Sequence, residues 1–239
     1  MTWSIGARDD QGRFGVAIAS RFLAVGALCV HTRRDVGALS TQALMNPLYG
    51  AAGLAQLAEG RSADQALQHL LAGDEGRAHR QMHLLPAGGA PAAHTGSQCI
   101  EWCGHQLFDD FSVAGNMLAG PQVIEATAQA YRDAHALPFA ERLLAAMQAG
   151  EAAGGDKRGK QAAALRVHGD EDHPLLDLRV DDHAEPLAEL QRIYRKSLER
   201  YQPFIACLAG RHDPVGLTDR AEIEARIERF QSALKDRQP

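Results

Sequence analysis

The chain of 239 residues is 45% hydrophobic and 23% charged, a composition that predicts a globular protein with a sizeable core and excludes a wholly disordered chain. Its net charge of −5 and the absence of a Lys/Arg-rich run argue against a nucleic-acid partner. The first residues lack the features of a signal peptide and no run of roughly 18 apolar residues predicts a membrane span, so we expect a cytoplasmic protein.

The N-terminal fifty residues have the pattern of short strands. Residues 3–8 and 14–19 are joined by an Asp- and Gly-containing turn at 9–12, which predicts a β-hairpin. Two further strands are predicted at 27–32 and 36–42, on either side of a charged turn. Short strands in this order favour a sheet built mainly from hairpins.

After residue 47 the hydrophobic period becomes helical. A helix is predicted over 48–59, and Ser62 with Gln65 forms a capping-box pattern for a second helix that ends near Gly73. The further predicted elements are strands at 81–85, 92–95, 100–104 and 111–118, helices at 122–135 and 140–148, a loop at 150–160, strands at 161–167 and 175–180, and helices at 186–206 and 219–235.

This order of elements favours an α+β protein with a four-layer αββα sandwich and extra C-terminal helices. A doubly wound parallel sheet is disfavoured, because it would alternate strand and helix. We therefore predict a sandwich domain over 1–185 and a helical extension over 186–239, whose mixed charges suit a solvated face or a subunit contact.

No Walker motif, G-x-S-x-G elbow or H-E-x-x-H motif is present in the sequence. Cys99 and Cys103, between His94 and His105, raise the alternative of a zinc site. Residues four apart in an extended strand lie ~13 Å from each other, so we favour buried thiols and expect neither a metal nor an organic cofactor.

Thr2 is the most unusual candidate for chemistry. Its small size allows an aminopeptidase to remove Met1, which would leave Thr2 with a free α-amine of pKa about 8. A threonine hydroxyl beside its own amine is a nucleophile with a built-in general base. The predicted hairpin would also return Ser20 and Arg21 to the neighbourhood of Thr2.

A nucleophile at the start of the first strand of a double-sheet sandwich is the arrangement of N-terminal nucleophile (Ntn) hydrolases. The sequence resembles a bacterial family of unknown function placed in that superfamily, in stretches that cover about residues 2–190 in order. They include TWSIxARD at 2–9, GVAIASRFLAVGA at 15–27, TQALMNPLYG at 41–50, HTG at 94–96, GNML at 115–118, GGDKRGKQ at 154–161 and LDLRVDDH at 176–183. The resemblance implies the sandwich fold and amide hydrolysis.

A looser similarity connects the chain to proteasome β-subunits. Those subunits carry Asp-Ser-Arg at the end of the second strand, where this chain has Ala19, Ser20 and Arg21. No equivalent of their catalytic lysine is evident. The departure leaves the α-amine of Thr2 as the expected base, oriented by Ser20 or Arg21.

Other polar residues complete the predicted site. Asn116 is a candidate oxyanion donor, with an asparagine of a turn or a strand end as the alternative. Asp156 and Arg158 lie in a Gly-rich loop where Arg158 is suited to bind a substrate carboxylate, with a mutual surface ion pair as the alternative. Gln42 and Asn46 are candidates for binding an amide substrate or for capping the following helix.

Ser4 shares a strand face with Thr2 and is the fallback nucleophile, without an obvious base. Together with the resemblance, the sequence predicts an Ntn-type amidohydrolase that cleaves a small amide or peptide-like bond. The resemblance to that superfamily also implies that the protein can form homo-oligomers. The alternative is a non-catalytic small-molecule-binding protein that retains the sandwich.

Overall fold

A computed structural model describes residues 2–236. In this part of the chain ten strands form two antiparallel sheets, and eight α-helices and one 3-10 turn accompany them. The strands are β1 Thr2–Arg8, β2 Phe14–Ser20, β3 Val30–Arg33, β4 Gly37–Ala43, β5 Arg80–Pro86, β6 Ala92–Thr95, β7 Gly104–Leu107, β8 Phe111–Asn116, β9 Ala162–His168 and β10 Leu176–Val180. The helices are α1 Val25–Cys29, α2 Leu48–Ala58, α3 Ala63–Ala72, α4 Gln122–Asp133, α5 Phe139–Ala152, α6 Pro186–Glu199, α7 Tyr201–Ile205 and α8 Arg220–Lys235.

The larger sheet has the strand order β10-β9-β2-β1-β8-β7, and the smaller has the order β3-β4-β5-β6. The predicted N-terminal hairpin is confirmed: β1 pairs with β2 from Thr2 opposite Ser20 to Arg8 opposite Phe14. β1 also pairs with β8, so it is a central strand. Its first residue therefore has a neighbouring strand end on both sides.

Three apolar clusters hold these elements together. The first lies between the larger sheet and α4, α5 and α6, and contains Trp3 and Tyr131. The second lies between the smaller sheet and α2 and α3, and the third lies between the two sheets, with Ile18 and Leu85 among its members. The odd residues of β1 thus face helices and its even residues face the smaller sheet, as the alternation of a strand requires.

Close approach of α5 to the larger sheet depends on a glycine. A Cβ atom at Gly15 of β2 would lie 2.4 Å from Leu143 Cδ1 of α5. At the other face, the predicted capping box begins α3: Ser62 Oγ accepts from Gln65 N–H at 3.2 Å, and Gln65 Oε1 accepts from Ser62 N–H at 3.0 Å. The glycine thus lets α5 pack closely on the larger sheet, and the capping box sets where α3 begins.

Of two predicted strands, the one at 27–32 is confirmed only from Val30, where β3 begins, and the one at 100–104 is wrong. The segment predicted as a strand at 27–32 begins as helix α1, because Val25 and Cys29 on one face of a helical turn fill the space between the sheets. A short apolar run does not distinguish a strand from a buried helical turn. The strand predicted at 100–104 is instead irregular up to Gly104, where β7 begins.

The predicted helix over 186–206 ends at Glu199, and α7 follows after Arg200. Pro203 explains the break, since a proline ring clashes with the carbonyl four residues earlier and supplies no N–H to it. Leu187, Leu190 and Tyr194 of α6 belong to the first apolar cluster, so this part of the predicted extension packs on the larger sheet. Within residues 2–236 no helix is long and apolar enough to cross a membrane.

Candidate active site

The first residue of β1 lies in a row of three polar side chains on the inner face of the larger sheet. Thr2 pairs with Ser20 at the end of β2 and with Asn116 at the end of β8. Thr2 Oγ1 donates a hydrogen bond of 3.0 Å to Ser20 Oγ. All three residues are buried, so the hydroxyl of Thr2 is held by its neighbours. We call these three residues the Thr2 site.

The loop 153–161 crosses the start of β1. Asp156 forms a bridge with Leu118, just beyond the end of β8, and its carboxylate accepts from Arg21 N–H at 3.0 Å, just beyond the end of β2. Because β1 lies between those two strands, the loop spans the end of the strand on which Thr2 stands. Arg21, predicted to lie near Thr2, thus contacts the loop that carries Asp156.

Asp156 organises the loop from a buried position. Only 2% of its side chain is exposed, and it accepts from Arg158 N–H at 2.9 Å and from the Arg158 guanidinium at 3.3 Å. Arg21 Nη1 in turn donates to the carbonyl of Arg158. The Asp156–Arg158 ion pair, one of the two alternatives for these residues, is therefore present.

Asn116 is connected to a hydrogen-bond network between the sheets. Its Nδ2 donates to Gln81 Oε1 at 2.9 Å and lies 3.5 Å from the carbonyl oxygen of Thr2. Gln81 Nε2 faces the carbonyl oxygens of Gly104 and Gly115, which can only accept, and this fixes the orientation of the Gln81 amide. One N–H of Asn116 is thus used by Gln81, and the other makes only the long contact to Thr2.

Ser4, the fallback nucleophile, lies in a sealed cluster. Ser4 Oγ is 2.8 Å from His83 Nε2, and His83 Nδ1 is 2.7 Å from Ser112 Oγ. Ser4 Oγ also donates to Gln42 Oε1 at 2.8 Å. We call Ser4, His83 and Ser112 the Ser4 cluster. His83 is a partner of Ser4 that the sequence did not reveal, but Ser4 is 0% exposed.

The protonation of this cluster follows from its geometry. Burial lowers the pKa of His83 to about 3, and the charge of His105 acts in the same direction, so the imidazole is neutral at physiological pH. Because the single hydrogen of Ser4 is given to Gln42, Nε2 of the ring donates to Ser4 and Nδ1 accepts from Ser112. His83 in this tautomer is a structural donor.

Gln42 and Asn46, predicted to bind substrate, have other partners. Gln42 is completely buried, and its Nε2 donates to Gln81 Oε1 at 2.8 Å, so it links the Ser4 cluster to Asn116. Asn46 Oδ1 accepts from Leu48 N–H at 3.1 Å at the start of α2. The structure therefore places Gln42 in the interior and gives Asn46 its alternative role, the support of a helix start.

The cysteines and histidines of the zinc alternative do not converge. His94 Nε2 is 2.8 Å from the Arg77 carbonyl, and His105 Nδ1 is 2.9 Å from Thr95 Oγ1. Among residues 2–236 no group of three or more His, Cys, Asp or Glu side chains is arranged for a metal ion. Cys99 is buried, as expected of a thiol in the core, whereas Cys103 is only half-buried.

Sequence reasoning missed Gln81, His83 and Ser112. Gln81 and His83 alternate along β5, as Ser40 and Gln42 do along β4, and all four are fully or almost fully buried. Two adjacent strands with polar residues at every second position are the signal that was available. It indicates a polar layer between two sheets.

The chain is similar to one protein family and to two solved structures described below. A family of unknown function, DUF1028, matches residues 2–190. The crystal structure of protein SPO2555 from Silicibacter pomeroyi, of the same family, is similar at 31% identity with a TM-score of 0.84, covering 92% of this chain and 96% of that one. Anbu, an ancestral β-subunit from Yersinia bercovieri, is weakly similar: 8% identity and a TM-score of 0.40, over 82% of this chain and 94% of that one.

A comparison with proteins of curated function finds no match. The family match spans most of the chain and includes every residue of the Thr2 site and the Ser4 cluster. The Silicibacter pomeroyi structure extends the likeness over nearly the whole of both chains. The chain belongs to the DUF1028 family, whose function is unknown.

Proposed function

We propose that this protein is an Ntn-type amidohydrolase with Thr2 as nucleophile, built on a four-layer αββα sandwich. The placement of Thr2 supports the proposal most: its hydroxyl is 3.0 Å from Ser20 Oγ, in the row between the ends of β2 and β8. The apolar clusters between the sheets and under the helices on each outer face are the packing that such a sandwich requires.

Removal of Met1, which lies outside the described residues, would free the α-amine of Thr2. That amine takes the proton of Oγ1 while Oγ1 attacks the carbonyl carbon of an amide substrate. Ser20 Oγ, as the hydrogen-bond partner of Thr2 Oγ1, positions the hydroxyl for the attack. The second N–H of Asn116, which makes only the 3.5 Å contact to Thr2, donates to the oxyanion that forms.

Collapse of the tetrahedral intermediate breaks the C–N bond. The protonated α-amine gives its proton to the departing nitrogen, and an ester between the acyl group and Thr2 Oγ1 remains. A water molecule then loses a proton to the amine and attacks the ester, which releases the acid and restores the hydroxyl. The chemistry uses no metal or organic cofactor, and the substrate is a small amide or peptide-like molecule.

The proposed location is the cytoplasm. The four cysteines of the chain are all free in the structure, as reduced thiols are in that compartment. We also propose that residues 186–239 act as a helical extension and that the protein forms homo-oligomers.

Mass spectrometry tests the nucleophile directly. We expect the purified protein to lack Met1 and to gain the mass of a β-lactone, an acylating probe, on the peptide that begins with Thr2. Thr2→Ala should abolish the labelling and lower amide hydrolysis by at least about 10³-fold, as removal of a catalytic nucleophile does.

Ser4→Ala is the matched control, because it removes the other hydroxyl on the same face of β1. It should keep the label on residue 2. Labelling of the Thr2→Ala protein, or hydrolysis unchanged by that substitution, would contradict the proposal.

A non-catalytic binding protein is the second candidate, and the position of Ala19 favours it. Ala19 replaces the acid of the proteasomal pattern, and it packs with Trp3 in the first apolar cluster, on the face of the sheet opposite Thr2. Retention of Met1 in protein isolated from its own host would support this candidate, since the α-amine of Thr2 would not be free.

A further inference from the structure

A pocket of about 300 Å³ opens beside Asn116, at the ends of β4 and β8. Its apolar lining consists of Ala43, Leu44, Cys99, Ile100 and Met117. His79 and Gln98 complete it. Since Asn116 is the strand partner of Thr2, this Asn116 pocket adjoins the Thr2 site.

The apolar side chains of the pocket are unusually exposed. Leu44 is 64% and Ile100 57% exposed. Single exposed leucines are common, but large apolar side chains grouped around a concave surface mark a binding site. The lining favours an aliphatic group as the occupant.

Backbone conformation at the pocket points the same way. Ala43 (φ 66°) and Met117 (φ 53°) adopt the left-handed backbone conformation, which residues other than glycine rarely adopt. They directly follow the inner-face residues Gln42 and Asn116. Strained conformations of this kind are concentrated at functional sites, where they hold the backbone in a fixed shape.

The loop that contacts Met117, one of the lining residues, carries positive charge. Lys157 lies next to Met117, with its N–H 3.5 Å from the Met117 carbonyl, and its Nζ donates to the Glu101 carbonyl at 2.8 Å. A lysine ammonium has three N–H groups, so Lys157 keeps the capacity to bind an anion. Arg21 contacts the same loop, because its guanidinium donates to the carbonyl of Arg158. The only acid among residues 154–160 is Asp156, and its side chain is buried.

We propose that the substrate is an N-acyl amino acid, whose aliphatic acyl chain fills the Asn116 pocket and whose carboxylate binds the cationic loop at Lys157 and Arg158. This inference rests on the proposed function. The amide bond of such a molecule would lie between the two contacts, at the level of Thr2. Arg158 pairs with Asp156, and Lys160 pairs with Glu151 and Glu185, whereas the ammonium of Lys157 contacts a carbonyl oxygen and not a carboxylate. Lys157 is therefore the main reason for an anionic leaving group.

Isothermal titration calorimetry of the Thr2→Ala protein tests binding without hydrolysis. The probes are N-octanoylglycine, N-acetylglycine, which lacks the aliphatic chain, and N-methyloctanamide, which lacks the carboxylate. We expect N-octanoylglycine to bind at least about tenfold more tightly than either of the others, because only this probe uses both contacts. Equal affinity for N-octanoylglycine and N-acetylglycine would overturn the proposal.

Two substitutions in the same background locate the binding contacts. Leu44→Asp and Lys157→Glu should each weaken N-octanoylglycine binding by about tenfold. Their matched controls, Leu137→Asp and Lys196→Glu, change exposed residues of the same type elsewhere and should leave the affinity unchanged. If both pairs gave equal affinities, the pocket and loop would not be the binding site. Melting curves identify a variant that is unfolded, and the three probes then decide the question.

The two proposals fail separately. Tight binding of N-octanoylglycine without hydrolysis by the protein that retains Thr2 would preserve the binding site and remove the amidohydrolase. Hydrolysis of amides with no preference for an aliphatic chain or a carboxylate would preserve the amidohydrolase and overturn the substrate class.

Discussion

The even-numbered face of β1 presents two hydroxyl groups, Thr2 and Ser4, about 7 Å apart along the strand. Ser4 lies 2.8 Å from a neutral imidazole nitrogen, as the serine of a catalytic pair does, yet it is enclosed between the two sheets. Thr2 has the hydroxyl of Ser20 at 3.0 Å, and it stands where β1 begins, beside Asn116, which lines a pocket. A serine–histidine distance therefore does not identify an active site unless substrate can reach the serine.

The Ser4 cluster and the Thr2 site also differ in the role that we infer for them. The Ser4 cluster joins the larger and smaller sheets through hydrogen bonds, and Gln42 and Gln81 continue the network as far as Asn116. Buried polar networks of this kind rigidify a core when every member is satisfied. We infer that the Ser4 cluster supports stability, whereas the Thr2 site supports chemistry, and the following changes separate the two.

His83→Leu should have the largest effect on stability, a loss of about 3 kcal/mol in the free energy of unfolding. The substitution leaves the buried hydroxyl of Ser112 without its acceptor and removes the donor to Ser4. Chemical denaturation measures the loss. A decrease below about 0.5 kcal/mol would show that the cluster does not hold the sheets together.

Acid should weaken the protein through the same imidazole. The pKa of His83 is lowered from 6.5 to about 3 in the folded protein, so between these values the unfolded chain binds a proton that the folded chain does not. The free energy of unfolding should therefore fall as the pH decreases from about 6.5 towards 3, by up to about 1.4 kcal/mol per pH unit.

His83→Gln isolates this contribution in a denaturation series over that pH range. Burial also lowers the pKa of His31, His105 and His168, and these residues are common to both proteins. The difference in slope thus belongs to His83. Identical slopes would mean that His83 titrates in the folded protein much as it does in the unfolded chain.

The structure near Thr2 was easier to predict from the sequence than the structure of the Ser4 cluster. The β1–β2 hairpin and the position of Ser20 beside Thr2 follow from local alternation and from a turn, so they were predictable and are confirmed. The family resemblance over about 2–190 is likewise confirmed. The loop bearing Asp156 was recognisable as glycine-rich, although its position across β1 depends on distant strand ends.

The Ser4 cluster was not predictable in the same way. His83 and Ser112 come from β5 and β8, which belong to different sheets, and no local pattern states which strands of two sheets face each other. The end of the long helix at Glu199 is different, because Pro203 was visible in the sequence and its steric effect is local. Features that depend on nearby residues could thus be predicted from the sequence, whereas contacts between the two sheets could not.

Asp156→Asn should destabilise the Thr2 end of the molecule by about 1–2 kcal/mol. In the wild-type protein each carboxylate oxygen of Asp156 accepts a backbone N–H, one from Arg21 and one from Arg158. In the variant the NH₂ group of asparagine replaces one of these oxygens, so a donor faces a donor. Limited proteolysis should show faster cleavage within 153–161. Asp172→Asn, at an acid that is 84% exposed, is the control and should leave the cleavage rate unchanged. Equal rates in both variants would contradict the role of Asp156 in ordering the loop.

Ser20→Ala and Ser112→Ala sharpen the comparison with the smallest structural change, the loss of one buried hydroxyl in each region. Both should lower the free energy of unfolding by about 1 kcal/mol, since each removes a hydrogen-bond partner. Their effects on hydrolysis should differ. Ser20→Ala should lower kcat about tenfold with little change in KM, because the hydroxyl of Thr2 loses its orientation. Ser112→Ala should leave kcat unchanged, and an equal loss in the two variants would mean that stability, not orientation, explains the effect of Ser20.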